Sequence, residues 1–293
     1  MKRSVDPSIP SPVVEPLDLH LLEDIEARLR VLNGDIEGSD SDDREYSSLV
    51  EFWKEELLKR ASASNKAGLN LEWYSKAYDY WEDEEKCPIS DDGVLAGFGH
   101  LTPADVKGSI AFLNELKKLQ PGLRFELAAD CGAGIGRVTK HLLLPKFNRV
   151  DMIEQSHRLI HSAANYIGSP DSNRVGFIEI GLQDFAPGPI YDVIWIQWVV
   201  GHLLDTDYVQ FFRRCGEGLR ENGVVILKDN CSESLTFMVD REDSSVARHI
   251  DYHKLLLEKA GLKIVKVRRQ TGFPNELCPV VMFAMVPEEK PVP

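Results

Sequence analysis

Glu126-Leu-Ala-Ala-Asp-Cys-Gly-Ala-Gly-Ile-Gly-Arg137 is the stretch on which the fold of this chain turns. An apolar run ends in an acid, Asp130, and three glycines then alternate at Gly132, Gly134 and Gly136. Val138 to Leu144 follows with apolar residues at helical spacing. The pattern predicts a strand, a tight turn and a helix start. Glycine lets backbone approach a ligand where a Cβ would collide, and the helix N-terminus behind it attracts negative charge. The spacing is G-x-G-x-G, not the G-x-G-x-x-G of dinucleotide-binding folds. It points to S-adenosylmethionine. A plain strand-to-helix turn has the same outline, so the rest of the chain must decide.

The chain has 293 residues and 43% hydrophobic content, enough for one well-buried α/β domain with an appendage. No apolar run reaches the roughly 18 residues of a membrane span, and Met1 to Pro7 has no signal-type segment, so no membrane partner is expected. The five cysteines are odd in number and form no C-x-x-C pair. That argues against a disulfide framework or a zinc ribbon and for a reducing compartment, and no metal is expected. Cys131 reads as a small packing residue. Net charge is −13, and residues 1–45, with 12 acids and 5 bases, carry −7 of it. Such acidity disfavours nucleic acid, whose phosphates demand cations. It suits basic peptides or proteins, although solubility alone accounts for it equally.

Residues 1–16 hold four prolines and are expected to be disordered. Leu17–Leu32 and Glu45–Ala61 have helical apolar spacing, with a Gly/Ser/Asp-rich linker at Asn33–Asp43 and a break at Ser62–Gly68. Residues 1–69 thus read as an acidic, partly disordered extension, 70–287 as the main domain and 288–293 as a tail. In the main domain Leu71–Trp81 predicts an aromatic-rich helix, Gly93–Gly99 a glycine loop, and Thr102–Leu119 a helix with a threonine cap and first-turn proline. Strands are expected at Glu126–Asp130, Arg149–Glu154, Val175–Ile180, Tyr191–Gln197, Gly223–Asp229, Leu262–Arg269 and Val280–Val286, with helices between most of them. The last two are joined without a helix and read as a terminal antiparallel hairpin. The expectation is therefore α/β: a Rossmann-like class I methyltransferase fold with a seven-stranded, mostly parallel sheet and an N-terminal helical extension.

Ligands in such sheets bind past the carboxyl ends of the strands. Strand one delivers Asp130, the glycines and Arg137. Strand two ends in Glu154, 24 residues after Asp130, where an acid can accept ribose hydroxyls; an ordinary solvated strand-end acid looks the same. Gly181-Leu-Gln-Asp-Phe185 follows strand three, placed for an adenine edge. Strand four ends in Trp195-Ile-Gln-Trp198. Gln197 can donate to a carboxylate, Trp198 can flank a sulfonium, and Trp195 reads as core. Gly201-His202 and Lys228-Asp-Asn230 end neighbouring strands, so His202 and Asn230 would face the methyl donor unless each is simply satisfied at its strand end. The acid-rich loop Val239–Val246 is expected to cap a helix through Ser244 and Ser245, and Asp243 alone also reads as a cap.

Trp195-Ile-Gln-Trp-Val-Val-Gly-His-Leu203, Asp130-Cys-Gly-Ala-Gly-Ile-Gly-Arg137 and Lys228-Asp-Asn230 together resemble the protein α-N-terminal methyltransferases, which methylate an exposed N-terminal X-Pro-Lys/Arg. Tyr74-Ser-Lys-Ala-Tyr-Asp-Tyr-Trp81, Leu95-Ala-Gly-Phe-Gly-His100, Val150–Glu154, Gly181–Phe185, Phe211–Cys215 and Asp243–Val246 are similar as well, so the likeness covers roughly residues 70–286. It implies that Gly132, Arg137, Glu154, Gln155, Ser156, Leu182, Gln183 and Gln197 hold S-adenosylmethionine, with Trp81 closing over it. It implies that His202, Asp243 and Asn230 face the substrate amine. Leu95, Ala96, Gly97 and Trp198 would shape the channel, and Asp240 with Asp243 would line an acidic exit for the third-residue cation. Phe98 and Cys278 stand where the family has tyrosines, Glu154 where it has aspartate, and the segment after Trp81 is longer and acidic.

The expected reaction is in-line methyl transfer to a neutral amine. An α-amino group has a pKa of about 7.7–8.0 against about 10.4 for lysine, so its deprotonation near neutrality is easy. Asp243 or His202 would take the proton, and Asn230 would orient the terminus. A monomer resident in cytoplasm and nucleus is expected. A nicotinamide dehydrogenase is the rival of another class; a methyltransferase of lysine side chains or small-molecule amines is the nearer one.

Overall fold

The computed structural model describes residues 18–34, 36–61, 72–188, 190–233 and 236–288. The proline-rich start, the break at Ser62–Gly68 and the tail after Glu288 lie outside them. The chain begins with α1 (Leu19–Asn33), β1 (Gly38–Asp40), β2 (Glu45–Tyr46), α2 (Leu49–Ala61), α3 (Glu72–Glu82), α4 (Asp91–Val94) and α5 (Thr102–Leu119). Then follow β3 (Leu127–Cys131), β4 (Arg149–Glu154), α6 (His157–Ile167), β5 (Val175–Glu179), β6 (Tyr191–Gln197), α7 (Asp205–Glu217) and β7 (Leu219–Ser232). β8 (Phe237–Asp240), β9 (Ser245–His249), α8 (Ile250–Lys259), β10 (Leu262–Arg269) and β11 (Val280–Pro287) complete it.

Seven strands lie in the order β5-β4-β3-β6-β7-β11-β10, parallel except for β11, which is antiparallel to both β7 and β10. This is the expected sheet with its terminal hairpin. All seven residues of β6 are buried, as a central parallel strand covered on both faces requires. One apolar layer packs Phe112, Leu116 and Leu143 on the sheet. The opposite layer holds Phe211 and Phe283, and Leu22, Ile25, Leu29, Phe52 and Trp53 of the N-terminal extension are buried in that same layer.

Four expectations need correction. Asn33–Asp43, read as a linker, contains β1, which runs parallel to β8 (Gly38↔Phe237, Asp40↔Val239). The acid-rich loop at Val239–Val246 does not cap a helix: Val239 pairs Val246 and Asp240 pairs Ser245 in an antiparallel β8–β9 hairpin, and His249 caps α8. Short strands of Gly, Ser and Asp carry no alternating apolar signal, and their pairing comes from a distant partner. β7 accordingly extends past Asp229, because Cys231 and Ser232 pair Arg248 and His249 of β9. Finally, the helix behind the glycine turn widens into a π turn at Thr139–Leu143, where Leu144 N–H donates to Thr139 O at 2.9 Å.

Candidate active site

The glycine turn adopts left-handed backbone at Gly132, with φ +71°. A Cβ there would stand 2.5 Å from the Cβ of Val199, so no other residue fits between β3 and the loop after β6. Gly134 N–H donates to Glu154 Oε2 at 2.9 Å and Ser156 N–H to Glu154 Oε1 at 2.8 Å. These bonds aim the Glu154 carboxylate along a cleft of about 880 Å³ past the strand ends. Burial raises the Glu154 carboxyl above its ordinary value, opposed by those backbone donors. Gly132, Arg137, Gln155, Leu182, Gln183, Gln197 and Trp81 also line the cleft. Ile153, Leu159 and Leu182 supply apolar wall, and Glu154 supplies acceptors beside it. That donor set suits S-adenosylmethionine: a flat apolar base, a ribose diol, and an amino-acid end near Arg137.

Asp130 does not reach this cleft. It is buried, accepts from Thr139 Oγ1 at 2.6 Å, and burial pushes its carboxyl up to about 6. Ser156 is likewise absent from the cleft wall; its Oγ caps α6 by accepting from Leu159 N–H and donates to Glu82. Gln197 lines the cleft, but its amide group already donates to Asp105 at 3.0 and 3.1 Å, while its oxygen accepts from Trp195 Nε1. Asp105, unnoticed in the sequence, also takes Arg137 Nη1 at 2.8 Å and the Lys228 ammonium. Lys228 further donates to Ser109 Oγ and Gln270 Oε1. This buried network locks the ends of β6 and β7 to α5. A lone Asp at the start of a helix gives no sign of it, because its partners come from elements 92 or more residues away in sequence for Gln197 and Lys228.

A second cleft of about 1280 Å³ adjoins the first. Trp81, Val94, Leu95, Trp198 and His202 line both, so the two meet there. Ala96, Asn230 and Asp243 belong to the second cleft only, with Phe98 and Cys278. Gly97, exposed in the same turn, does not line it, and Asp240 is exposed at the end of β8, outside the lining. Three residues other than glycine hold positive φ around this cleft: Ala96 (+47°), Trp198 (+52°) and Ser244 (+55°). Such backbone is strained and persists where surrounding structure enforces it, often at functional sites.

Among the described residues, five buried side-chain polar atoms lack a partner, and three of them belong to residues of the second cleft: Trp198 Nε1, Asp229 Oδ2 and Asp243 Oδ1. In the sequence Asp229 is an ordinary strand-end acid beside Asn230. Burial pushes its carboxyl up to about 7, against its bond from Asn230 N–H and the nearby Arg248. Burial raises Asp243 too, opposed by His202 and Ser245 and assisted by Asp240.

His202 is less free than its position suggests. Trp81 Nε1 donates to its Nε2 at 3.1 Å, and its Nδ1 lies 3.0 Å from Ser244 O. An indole N–H only donates, so Nε2 must be unprotonated and Nδ1 must carry the hydrogen. Both ring nitrogens are therefore engaged, and His202 has no lone pair to receive a proton while Trp81 stays in place. Trp73 Nε1 donates to His202 O at 2.9 Å and fixes the loop from behind.

The raised Asp229 carboxyl has a measurable consequence. Between about pH 4 and 7 the unfolded chain loses this proton while the folded chain keeps it, so stability falls as pH rises through that window. From an ordinary 3.8 to about 7, the total is at most about 4 kcal/mol. Asp229→Asn should therefore be more stable than the parent at both pH 5 and pH 8, by a margin that is more than twice as large at pH 8. Thermal scans at both pH values check this; a variant no more stable at pH 8 contradicts the burial of an ionised Asp229.

Residues 70–286 match the family described as AdoMet dependent proline di-methyltransferase. The chain is 41% identical to alpha N-terminal protein methyltransferase 1 of Dictyostelium discoideum over 253 residues, 85% of this chain and 90% of that one. It is 43% identical to N-terminal Xaa-Pro-Lys N-methyltransferase 1 of Xenopus tropicalis, across 73% of this chain and 95% of the relative. Among solved structures, a SAM-dependent methyltransferase from Leishmania major aligns with a TM-score of 0.76 at 35% identity, covering 86% of this chain and 96% of that one.

Proposed function

Because this chain belongs to the AdoMet-dependent α-N-terminal protein methyltransferases, we propose that its substrates are proteins exposing N-terminal X-Pro-Lys/Arg and that Asp243 removes the amine proton. Methylation of protein α-amines with S-adenosylmethionine is the activity of the family. The observation that carries the finer reading is the trio of unpartnered polar atoms at the second cleft, one N–H and two carboxylate oxygens. A peptide N-terminus offers the complement: an amine that donates to carboxylates and a carbonyl that accepts from Trp198.

S-adenosylmethionine, when bound, supplies a methyl group on a sulfonium. The chain's own residues then have three tasks. Trp81, Leu95, Trp198 and His202 form the junction of the clefts and align the amine with that methyl. Asp243 accepts the proton as the carbon–nitrogen bond forms, its raised carboxyl being a better match to an α-amine than an ordinary aspartate is. Asn230 and Trp198 orient the peptide backbone. His202 holds Ser244, and through it Asp243, rather than taking the proton itself. Proline at position two lacks an N–H and has fixed φ, which suits the apolar wall of Leu95, Phe273 and Leu277. Asp240, exposed beside Asp243, supports a cation at position three.

Mass spectrometry after incubation with labelled cofactor tests this on paired peptides. Ser-Pro-Lys and Pro-Pro-Lys peptides should gain methyl groups at the α-amine, their N-acetyl copies none, and Ser-Pro-Glu far fewer. Methylation of the acetylated peptides would instead establish a lysine methyltransferase.

A further inference from the structure

Residues 36–61 precede the segment matched by the family, yet the side chains of Asp40, Ser41, Tyr46 and Glu56 converge on the hairpin that carries Asp243. β1 adds to β8 as a parallel strand. Past its end, Ser41 N–H donates to Val239 O at 2.9 Å, and Arg241 N–H donates to Ser41 Oγ at 3.0 Å. Arg241 lies in the four-residue turn between β8 and β9, two positions before Asp243. Its Nε donates to Asp40 Oδ2 at 2.9 Å, its Nη1 to Glu56 Oε1 and its Nη2 to Tyr46 Oη, both at 2.5 Å. The guanidinium also sits 5.0 Å over the Phe52 ring. All three of its side-chain nitrogens thus end on the N-terminal segment.

Asp40 is built to hold this arginine. It is buried, and it accepts from Tyr46 Oη at 2.8 Å and from the backbone N–H groups of Asp42 and Arg44 at 3.0 Å. Burial opposes its charge, but Arg241, Tyr46 and the backbone donors outweigh it and hold its carboxyl down to about 2. Asp40 and Arg241 therefore both stay charged throughout the physiological range. Charge-assisted bonds arranged as a network exceed a lone surface pair in strength. The turn they grip includes strained Ser244, whose carbonyl accepts from His202.

We propose that residues 36–61 are a clamp that presets the β8–β9 turn, with Arg241 as the positioning residue, so that Asp243 faces the second cleft before a peptide arrives. The proposal rests on the reading of Asp243 as the group that meets the amine. It separates the N-terminal segment from a mere cover over apolar surface.

The test uses the full chain with Arg241→Met, which keeps an apolar stem over Phe52 but removes every side-chain donor. Losing charged hydrogen bonds of this kind should raise the KM for an X-Pro-Lys peptide about tenfold. The Kd for S-adenosylmethionine should stay at the parent value, and amide hydrogen exchange over 241–244 should accelerate. Arg241→Lys, which restores a charge, should recover part of the KM. Glu56→Gln, which removes one carboxylate charge from the cluster, should shift both readouts in the same direction by less and serves if Arg241→Met does not fold. Parent-like KM and parent-like exchange in the turn, whatever the melting temperature does, would overturn the clamp. If the parent itself ignores the peptide, the substrate reading has failed, and the exchange measurement still decides the clamp.

Discussion

Asp243→Asn should lower kcat on a free-amine X-Pro-Lys peptide by about 10²–10⁴-fold, the range general-base catalysis supplies, and leave cofactor affinity unchanged. The separation follows from geometry. Asp243 lines the acceptor cleft and is absent from the wall of the donor cleft. Asparagine keeps the size and much of the hydrogen bonding but cannot accept a proton. The pH profile carries a second signature. The base must be ionised to act, and burial raises its carboxyl above the ordinary range, so the parent's kcat should fall as pH drops towards acid. The variant should lose that limb along with most of its rate, keeping only the fall that protonation of the amine itself imposes, whose ordinary pKa is about 7.7–8.0. Isothermal titration with cofactor and kcat between pH 5 and 9 are the measurements. Retention of more than a tenth of kcat, or a loss confined to cofactor Kd, would show that the proton goes elsewhere, with Asp229 the next group to test.

Asp205→Ala should destabilise the protein by about 3–5 kcal/mol, the cost of leaving one member of a buried ion pair alone. Asp205 and Arg248 are both fully buried, with Arg248 Nη2 2.7 Å and Nε 2.8 Å from Asp205 Oδ1. Asp205 Oδ2 accepts from Tyr252 Oη at 2.6 Å and from Trp53 Nε1 at 3.3 Å. The carboxylate therefore joins β9, α8 and the N-terminal α2 at one point. Arg248 also donates to the carbonyls of Val200 and Leu203, on either side of His202. Alanine leaves a buried guanidinium without its counter-charge and two donors without an acceptor. A melting temperature lower by roughly 10 °C follows for a chain of this size. Denaturant titration gives the free energy directly; a change below about 1 kcal/mol would mean that the pair contributes little net stability.

The two results bear on different levels of the molecule. Asp243 acts at the reacting atoms, whereas Asp205 holds the loop that presents His202. A fall in kcat without a fall in stability belongs to the first, and the reverse belongs to the second. The N-terminal segment spans both levels, through Trp53 on Asp205 and through Asp40 and Glu56 on Arg241.

What the amino-acid order determined by itself was local. Three glycines spaced by one residue need a backbone only glycine adopts, so the turn, its strand and the cleft above it were legible, and Glu154 with them. Continuous apolar runs bounded by turns marked the seven strands, and the unusual strings around Trp198, His202 and Asp243 marked the family. The tertiary structure alone decided what depends on distant partners. β1 exists because β8 offers an edge some 200 residues away, and Gly38-Ser-Asp40 has no pattern of its own. Asp105 matters because Gln197, Arg137 and Lys228 meet on it. His202 reads in the sequence as a base, and only the fold shows its lone pair facing Trp81. Asp229 reads as a strand-end acid, and only its enclosure raises its proton affinity. Spacing along the chain specifies backbone shape over a few residues. The state of a proton is fixed by burial and by neighbours that come together only when the chain has folded.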